Sequence, residues 1–248
     1  MENNQLLTEK DAGKRHTENV TMNDEPAEPL FLVVSGKMGA GKDTIAPLVL
    51  ERLGYTDTKH LAFADPLKNE VNLVIQIIQE SDTPREAIDL VNEKLNTTKA
   101  FDIVVTLYGD VKNGVVTSGY DKTTTTRLAL QYWGTEVRRS QDENYWVKRT
   151  IAECNSVMNK NTSVYITDAR FPNEVDATVM NGAVHVRLII NEEEQRKRIL
   201  KRDGIEISPD SLVHTSETAL DDYEAALKVD TSGVSVDEVV NTIVDYLK

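Results

Sequence analysis

The chain has 248 residues, 40% of them hydrophobic, enough for one ordinary core, and carries a formal net charge of -13 with a pI of about 4.8. That acidity excludes a nucleic-acid binder working through a broad basic surface, and an enzyme for anionic substrates would have to gather its cations in one cleft. The lone Cys154 excludes an internal disulfide, and with no apolar run of membrane-spanning length and no signal-peptide core, a cytoplasmic protein without a membrane partner is expected.

Residues 1–28 are polar, charged and without periodicity, ending in Asn-Asp-Glu-Pro-Ala-Glu. They read as a disordered extension before one domain over 29–248. The first element is a strand, Leu30–Ser35. It runs into Gly36-Lys37-Met38-Gly39-Ala40-Gly41-Lys42-Asp43-Thr44, and a helix is expected from Lys42 to about Leu53 despite Pro47. Strand, glycine-rich turn and helix in that order form a phosphate cradle. Gly36, Gly39 and Gly41 can take φ > 0 and turn backbone N–H groups onto phosphate oxygens, the helix start adds its positive dipole end, and the Lys42 ammonium reaches the β- and γ-phosphates. A Ser or Thr normally follows the lysine of such a loop, but here Asp43 does. Either Thr44 supplies the hydroxyl near Mg²⁺, or phosphates and water hold most of the metal.

Further along, Lys59–Ala64 reads as a strand, Asp65-Pro66 opens a helix to about Gln79, and Pro84–Asn96 reads as another helix. The β-branched runs Phe101–Leu107 and Val115–Thr117, with Gly109 and Asn113-Gly114 between them, predict a hairpin insertion. Helices are expected over Thr124–Arg139 and Asn144–Asn159. A short buried strand, Val164–Thr167, ends at Asp168, and a helix over Pro172–Asn181 closes at Gly182. Ala183–Ile190 is the next strand, Glu192–Arg202 an arginine-rich helix closed by Gly204, Leu227–Val229 a last strand, and Val236–Leu247 a closing amphipathic helix. Strands alternating with helices imply a parallel sheet covered on both faces. There is no internal repeat.

Four further groups carry chemistry. On a regular helix Arg127, Gln131, Gly134/Thr135 and Arg138 share one polar face beside the apolar stripe Leu130, Trp133, Val137. Such a face can hold a phosphate and read a base edge, or simply be solvated; Gly134, costly inside a helix, points to a packing or functional reason. Asp168 and Arg170 sit where a strand of an open α/β sheet meets its ligand crevice, able to order a metal-bound water and bridge phosphates, or to form a structural ion pair. Arg198 and Arg202 lie one helical turn apart. They belong either to an exposed salt-bridged helix, with Glu194, or to a lid that brings cations over developing charge. Trp146 is either core or a stacking platform for a base. His214-Thr-Ser216-Glu217 reads as a helix entry capped by Ser216. No Cys/His cluster and no Ser/His/Asp arrangement stands out.

These residues together are familiar. From Leu30 to Lys248 the chain resembles the deoxynucleoside monophosphate kinases of tailed bacteriophages. The likeness is carried by Gly36…Gly41-Lys42-Asp43-Thr44, Phe63-Ala-Asp65-Pro-Leu-Lys68, Arg127…Gln131…Gly134-Thr135-Glu136, Tyr145-Trp146-Val-Lys148, Ile166-Thr-Asp168-Ala-Arg170…Glu174 and His214…Ser216-Glu217. The Gly-Lys-Asp-Thr form is similar to the family's own loop. The resemblance implies a three-layer phosphate-loop kinase fold with five parallel strands, helices on both faces and an arginine-rich lid. It also implies transfer of the ATP γ-phosphate to a deoxynucleoside 5′-monophosphate, with Mg²⁺ near Thr44 and Asp168. On the acceptor side it implies Asp65, Lys68, Arg127, Gln131, Gly134, Thr135, Trp146, Asp168, Arg170 and Glu174, with Lys42, Arg127, Asp168, Arg170, Arg198 and Arg202 doing the chemistry. The expected partner is the nucleotide substrate, not a nucleic acid, and a homodimer is left open. The arginine helix is also similar to the lid of dephospho-CoA kinases, so dephospho-CoA or another small phosphate is the alternative acceptor. A motor or nucleotide-sensing switch is the alternative of another class, but it usually carries paired acids where Ala169 and Arg170 follow Asp168 here.

Overall fold

A computed structural model describes residues 28–204 and 206–248. The extension expected over 1–28 lies, apart from Glu28, outside the described residues. Five strands form one parallel sheet: β1 (Phe31–Gly36), β2 (Thr58–His60), β3 (Ser163–Ile166), β4 (Val184–Ile189) and β5 (Leu227–Asp230), in the order β2-β3-β1-β4-β5. β1 is central, with Val33 opposite Ile166 of β3 and His185 of β4. Its continuous apolar run is what a strand buried on both faces needs.

The alternation of β1 sorts two layers. Leu32 and Val34 pack with Val186 and Leu188 of β4 against α1 (Lys42–Arg52) and α11 (Val236–Leu247). Phe31 and Val33 pack with Val164 and Ile166 of β3 against α6 (Tyr145–Met158) and α7 (Pro172–Met180). Burying a Val or Leu side chain on either face contributes about 1.5–3 kcal/mol. α11 begins at the Ser235/Glu238 capping box, which satisfies two backbone N–H groups at its start.

A third core lies beside the sheet, where α2 (Asp65–Glu80), α3 (Pro84–Lys94), α4 (Ala100–Lys112) and α5 (Thr124–Gln131) pack around Val71, Ile75, Ile103, Leu107 and Trp133. The expected hairpin is therefore corrected: Phe101–Leu107 belongs to a helix. Its β-branched residues suggested a strand, but the buried set Ala100, Ile103, Val104, Leu107, Val111 recurs at helical spacing and faces α2 and α3. Val115–Thr117 is a loop after that helix, with Val116 buried.

Two other boundaries move. β2 stops at His60 instead of Ala64, because the N–H groups of Phe63 and Ala64 turn to the Asp168 carboxylate, at 2.9 and 3.2 Å. Past Gln131, α5 widens into a π-helix over Tyr132–Arg139, with Ser140 N–H bonded five residues back to Thr135 at 3.0 Å. The remaining helices are α8 (Glu192–Asp203), α9 (Pro209–Leu212) and α10 (Thr215–Thr218). No described helix is long and apolar enough to cross a membrane.

Candidate active site

The glycine loop leaves β1 under tight constraint. A Cβ on Gly36, at φ +153, would stand 2.6 Å from the Leu188 carbonyl oxygen, so only glycine lets the strand turn beside β4. Gly41, at φ +94, is the left-handed residue from which α1 starts. Lys42 then folds back over the loop, its ammonium donating to the Gly36 and Lys37 carbonyls at 2.7 and 3.0 Å.

A cleft of about 350 Å³ opens there. The loop supplies Lys42, Asp43 and Thr44; the exit of β3 supplies Thr167, Asp168 and Arg170; α8 supplies Arg198 and Arg202. Four cations thus face two carboxylates in a chain of net charge -13. The acidic composition has gathered cations locally, as an anionic ligand requires. Arg198 ties the parts together: it is paired with Glu194 at 2.9 Å, and donates to the carbonyl of Gly39 at 3.4 Å and that of Thr231 at 2.5 Å. Arg202 is paired with Asp203 at 2.7 Å and more exposed. The arginines of α8 therefore carry the ion pairs of a solvated helix and line the cleft as well.

Burial, helped by the nearby Arg170 guanidinium, lowers the Lys42 pKa to about 8. The unfolded lysine keeps its ordinary value near 10.5, so the fold disfavours the ammonium. That penalty is fully present below pH 8 and is relieved between about 8 and 10.5, where the ligand-free protein should gain stability as pH rises. A phosphate bound at this lysine would need the ammonium and would have the opposite slope. Affinity for a non-hydrolysable ATP analogue is expected to fall up to about tenfold per pH unit above 8. Titration calorimetry at pH 7 and 9.5 checks this, and a Lys42→Met variant should show no such slope. Equal slopes in the two proteins would remove Lys42 protonation as the cause.

Asp43 takes a hydrogen bond from the Thr167 hydroxyl at 2.5 Å, and Thr167 Oγ also meets His60 Nε2 at 3.1 Å. The carboxylate that replaces the usual hydroxyl is thereby fixed to the end of β3. Asp168 holds the 61–64 turn, and burial pushes its carboxyl up from the usual range against the two N–H bonds it accepts. Among the described residues no three of His, Cys, Asp and Glu form a metal cluster. The oxygens of Asp43, Thr44 and Asp168 on the cleft are of the kind Mg²⁺ accepts when phosphates and water complete its shell.

The other expected site residues divide. Lys37 turns to Asp221 at 3.1 Å and does not line the cleft. Ala40 is buried, and contributes only backbone. Asp65 accepts the Ala62 N–H at 3.0 Å, and Lys68 stands 3.9 Å from Asp65 and over the Tyr120 ring. Arg127, Gln131 and Thr135 are exposed on α5 and its π-helical extension, outside the lining of that cleft. Arg138 does not join them. The wider π-helical turn directs it inward to an ion pair with buried Glu70 at 2.8 Å. Gly134 has a packing reason, since a Cβ there would come within 3.0 Å of Leu67 Cδ2. Trp146 is core: only 3% exposed, its indole N–H donates to the Gly134 carbonyl at 3.2 Å and its ring meets Tyr145 edge-on. It offers no free face for a base, and the expected stacking role is withdrawn. Glu174 is a helix cap rather than an acceptor ligand, taking the N–H groups of Arg170 and Phe171 at 2.7 and 3.1 Å. It thereby fixes the backbone of Arg170.

Several neighbours of the site were given no role at the site by the sequence reading. His214, not Ser216, caps α10: its Nδ1 accepts the Ser216 N–H at 3.2 Å. Glu217 reaches the glycine loop. A second, more apolar cleft of about 310 Å³ adjoins the first across Arg198, lined by Gly41, Thr44, Thr231, Val234, Val236 and Val239. Its apolar side comes from the loop after β5 and the start of α11, where Val234 and Val236 stand partly exposed beside a helix cap.

Neither a family model nor a curated protein matches the chain. Among solved structures it is similar to a gluconokinase from Sinorhizobium meliloti 1021, at 15% identity over 89% of this chain and 92% of that one, with a TM-score of 0.46. It is also similar to TT1252 from Thermus thermophilus, at 14% identity over 89% and 99% with a TM-score of 0.47. A dephospho-CoA kinase from Campylobacter jejuni aligns at 12% identity over 89% and 98% with a TM-score of 0.39.

Proposed function

We propose that the chain is a phosphotransferase that moves the γ-phosphate of ATP to a small phosphorylated acceptor, a deoxynucleoside 5′-monophosphate. The observation that carries this reading is the half-buried Lys42 ammonium folded over a glycine loop, with Arg170, Arg198 and Arg202 lining the same cleft. Two adjoining clefts suit the two ends of the donor: triphosphate against the loop, and base in the apolar slot by Val234, Val236 and Val239. An acceptor phosphate oxygen takes the γ-phosphoryl group as its bond to the β-phosphate oxygen breaks, leaving ADP and a deoxynucleoside diphosphate. No residue needs to become covalently modified; positioning and charge neutralisation suffice. Thr44 and Asp168, with Asp43 beside them, would hold Mg²⁺, which when bound neutralises phosphate charge. The exposed Arg127, Gln131 and Thr135 present an arginine, an amide and a hydroxyl for an acceptor. Their assignment to a deoxynucleotide rests on the resemblance, as does the deoxy preference.

The test is ADP formation from ATP·Mg²⁺ with a panel of deoxy- and ribonucleoside monophosphates and dephospho-CoA. Turnover of more than one deoxynucleotide is expected, with kcat/KM higher for dGMP than for GMP. Equal values for such pairs would remove the deoxy preference. Turnover of dephospho-CoA alone would change the acceptor, and no ADP with any acceptor would overturn the reading.

A further inference from the structure

Glu217 has no part in the chemistry above, yet its buried carboxylate is bonded both to the loop and to a cation of the cleft. It sits on the four-residue helix α10, far along the chain from the glycine loop, with its side chain only 4% exposed. One oxygen accepts the backbone N–H of Met38 at 2.6 Å. The other is bonded to Nη1 of Arg170, which also donates to the Ser216 carbonyl at 3.2 Å. Three chain segments thus converge on one buried carboxylate: the loop after β1, the exit of β3 and the stretch between α8 and β5. Burying a carboxylate is costly unless charge-assisted bonds compensate, and here a guanidinium and an amide do so.

The consequence lies in what Arg170 has left. Its backbone N–H is held by Glu174, one edge of its guanidinium is held by Glu217 and the Ser216 carbonyl, and Nε and Nη2 have no protein partner among the described residues. The side chain is 38% exposed and lines the phosphate cleft. We infer that Glu217 is a positioning residue: by clamping one edge of Arg170 and the Met38 amide together, it aims the free edge of the guanidinium at an oxyanion in the cleft and sets its distance from the glycine loop. Without the clamp Arg170 would have to lose rotamer freedom on binding, which weakens each contact it makes. The inference rests on the phosphate-binding reading of the cleft, but not on the identity of the acceptor.

The test uses the full chain loaded with ADP·Mg²⁺ and inorganic phosphate as the probe of the oxyanion subsite. Phosphate affinity is measured by calorimetry for wild type, Glu217→Gln, Arg170→Ala and the double variant, with thermal midpoints to confirm folding. Each single change should weaken phosphate at least fivefold while ADP affinity stays within about twofold, and the double variant should bind phosphate no worse than Arg170→Ala alone. Glu217→Asp, which keeps the charge and shortens the reach, should show the same loss and serves if the amide variant does not fold. The inference is overturned by wild-type phosphate affinity in Glu217→Gln, by losses that multiply in the double variant, by ADP affinity falling in step, or by a wild type that binds no phosphate. A wild type that binds phosphate but makes no ADP with any acceptor would instead overturn the proposed reaction and leave the clamp standing.

Discussion

Lys42→Ala is expected to lower turnover by 10²–10³-fold, about 3–4 kcal/mol of transition-state stabilisation, while the fold survives. The ammonium is seated on the loop, bonded to the carbonyls of Gly36 and Lys37 and partly withdrawn from water. In such a setting a fixed charge acts at lower effective dielectric and reorganises little as phosphate charge moves. Folding should tolerate the change, because the ammonium is disfavoured where it sits and its removal relieves that penalty. The measurement is kcat with the best acceptor of the panel, beside a thermal midpoint. Retention of more than about a tenth of wild-type turnover by a folded variant would remove the loop from the chemistry.

The largest loss of stability is expected from Arg138→Ala, at about 3–5 kcal/mol. Glu70 is a buried carboxylate with three close partners: the Arg138 guanidinium at 2.8 Å, the Trp133 indole N–H at 2.7 Å and the Tyr145 hydroxyl at 2.6 Å. The guanidinium also lies against the Trp133 and Tyr145 rings and donates to the Leu95 carbonyl at 3.0 Å. Truncating it leaves the carboxylate in the helical core with, among the described residues, only Arg149 as a counter-charge, at 3.5 Å and half exposed. A midpoint lowered by roughly 10 °C in thermal unfolding corresponds to that free energy for a chain of this size. The double variant Arg138→Met with Glu70→Gln should recover part of the loss, since the uncompensated charge is gone. A fall of less than about 1 kcal/mol in the single variant would show that Arg149 and water compensate the carboxylate.

The two variants separate regions of different legibility. The cradle around Lys42 could be read directly, because glycine freedom, the lysine and the helix start are consequences of neighbouring residues. The proposed acceptor side could be read only in part. Arg127 and Gln131 kept the exposure expected of them, but a helix drawn with regular spacing put Arg138 on their face, and nothing in that spacing announces a π-helical widening. Trp146 and Glu174 were chemically able to serve a substrate, and were instead claimed by the Gly134 carbonyl and by the start of α7. Those competitions are settled by which partner the tertiary packing brings within hydrogen-bonding reach.

By itself the sequence determined the parallel sheet, the glycine loop after its first strand, the arginine helix and the closing helix, since apolar runs, caps and glycines act within a few residues of themselves. Only the tertiary structure decided that 100–112 is a helix, that Trp133 and Arg138 converge on Glu70 more than sixty residues away, and that Glu217 reaches the Met38 amide across 179 positions. The reason is physical: a buried polar or β-branched residue takes the conformation its distant packing partners allow, and local propensity, worth at most about 1 kcal/mol per residue, yields to burial worth several.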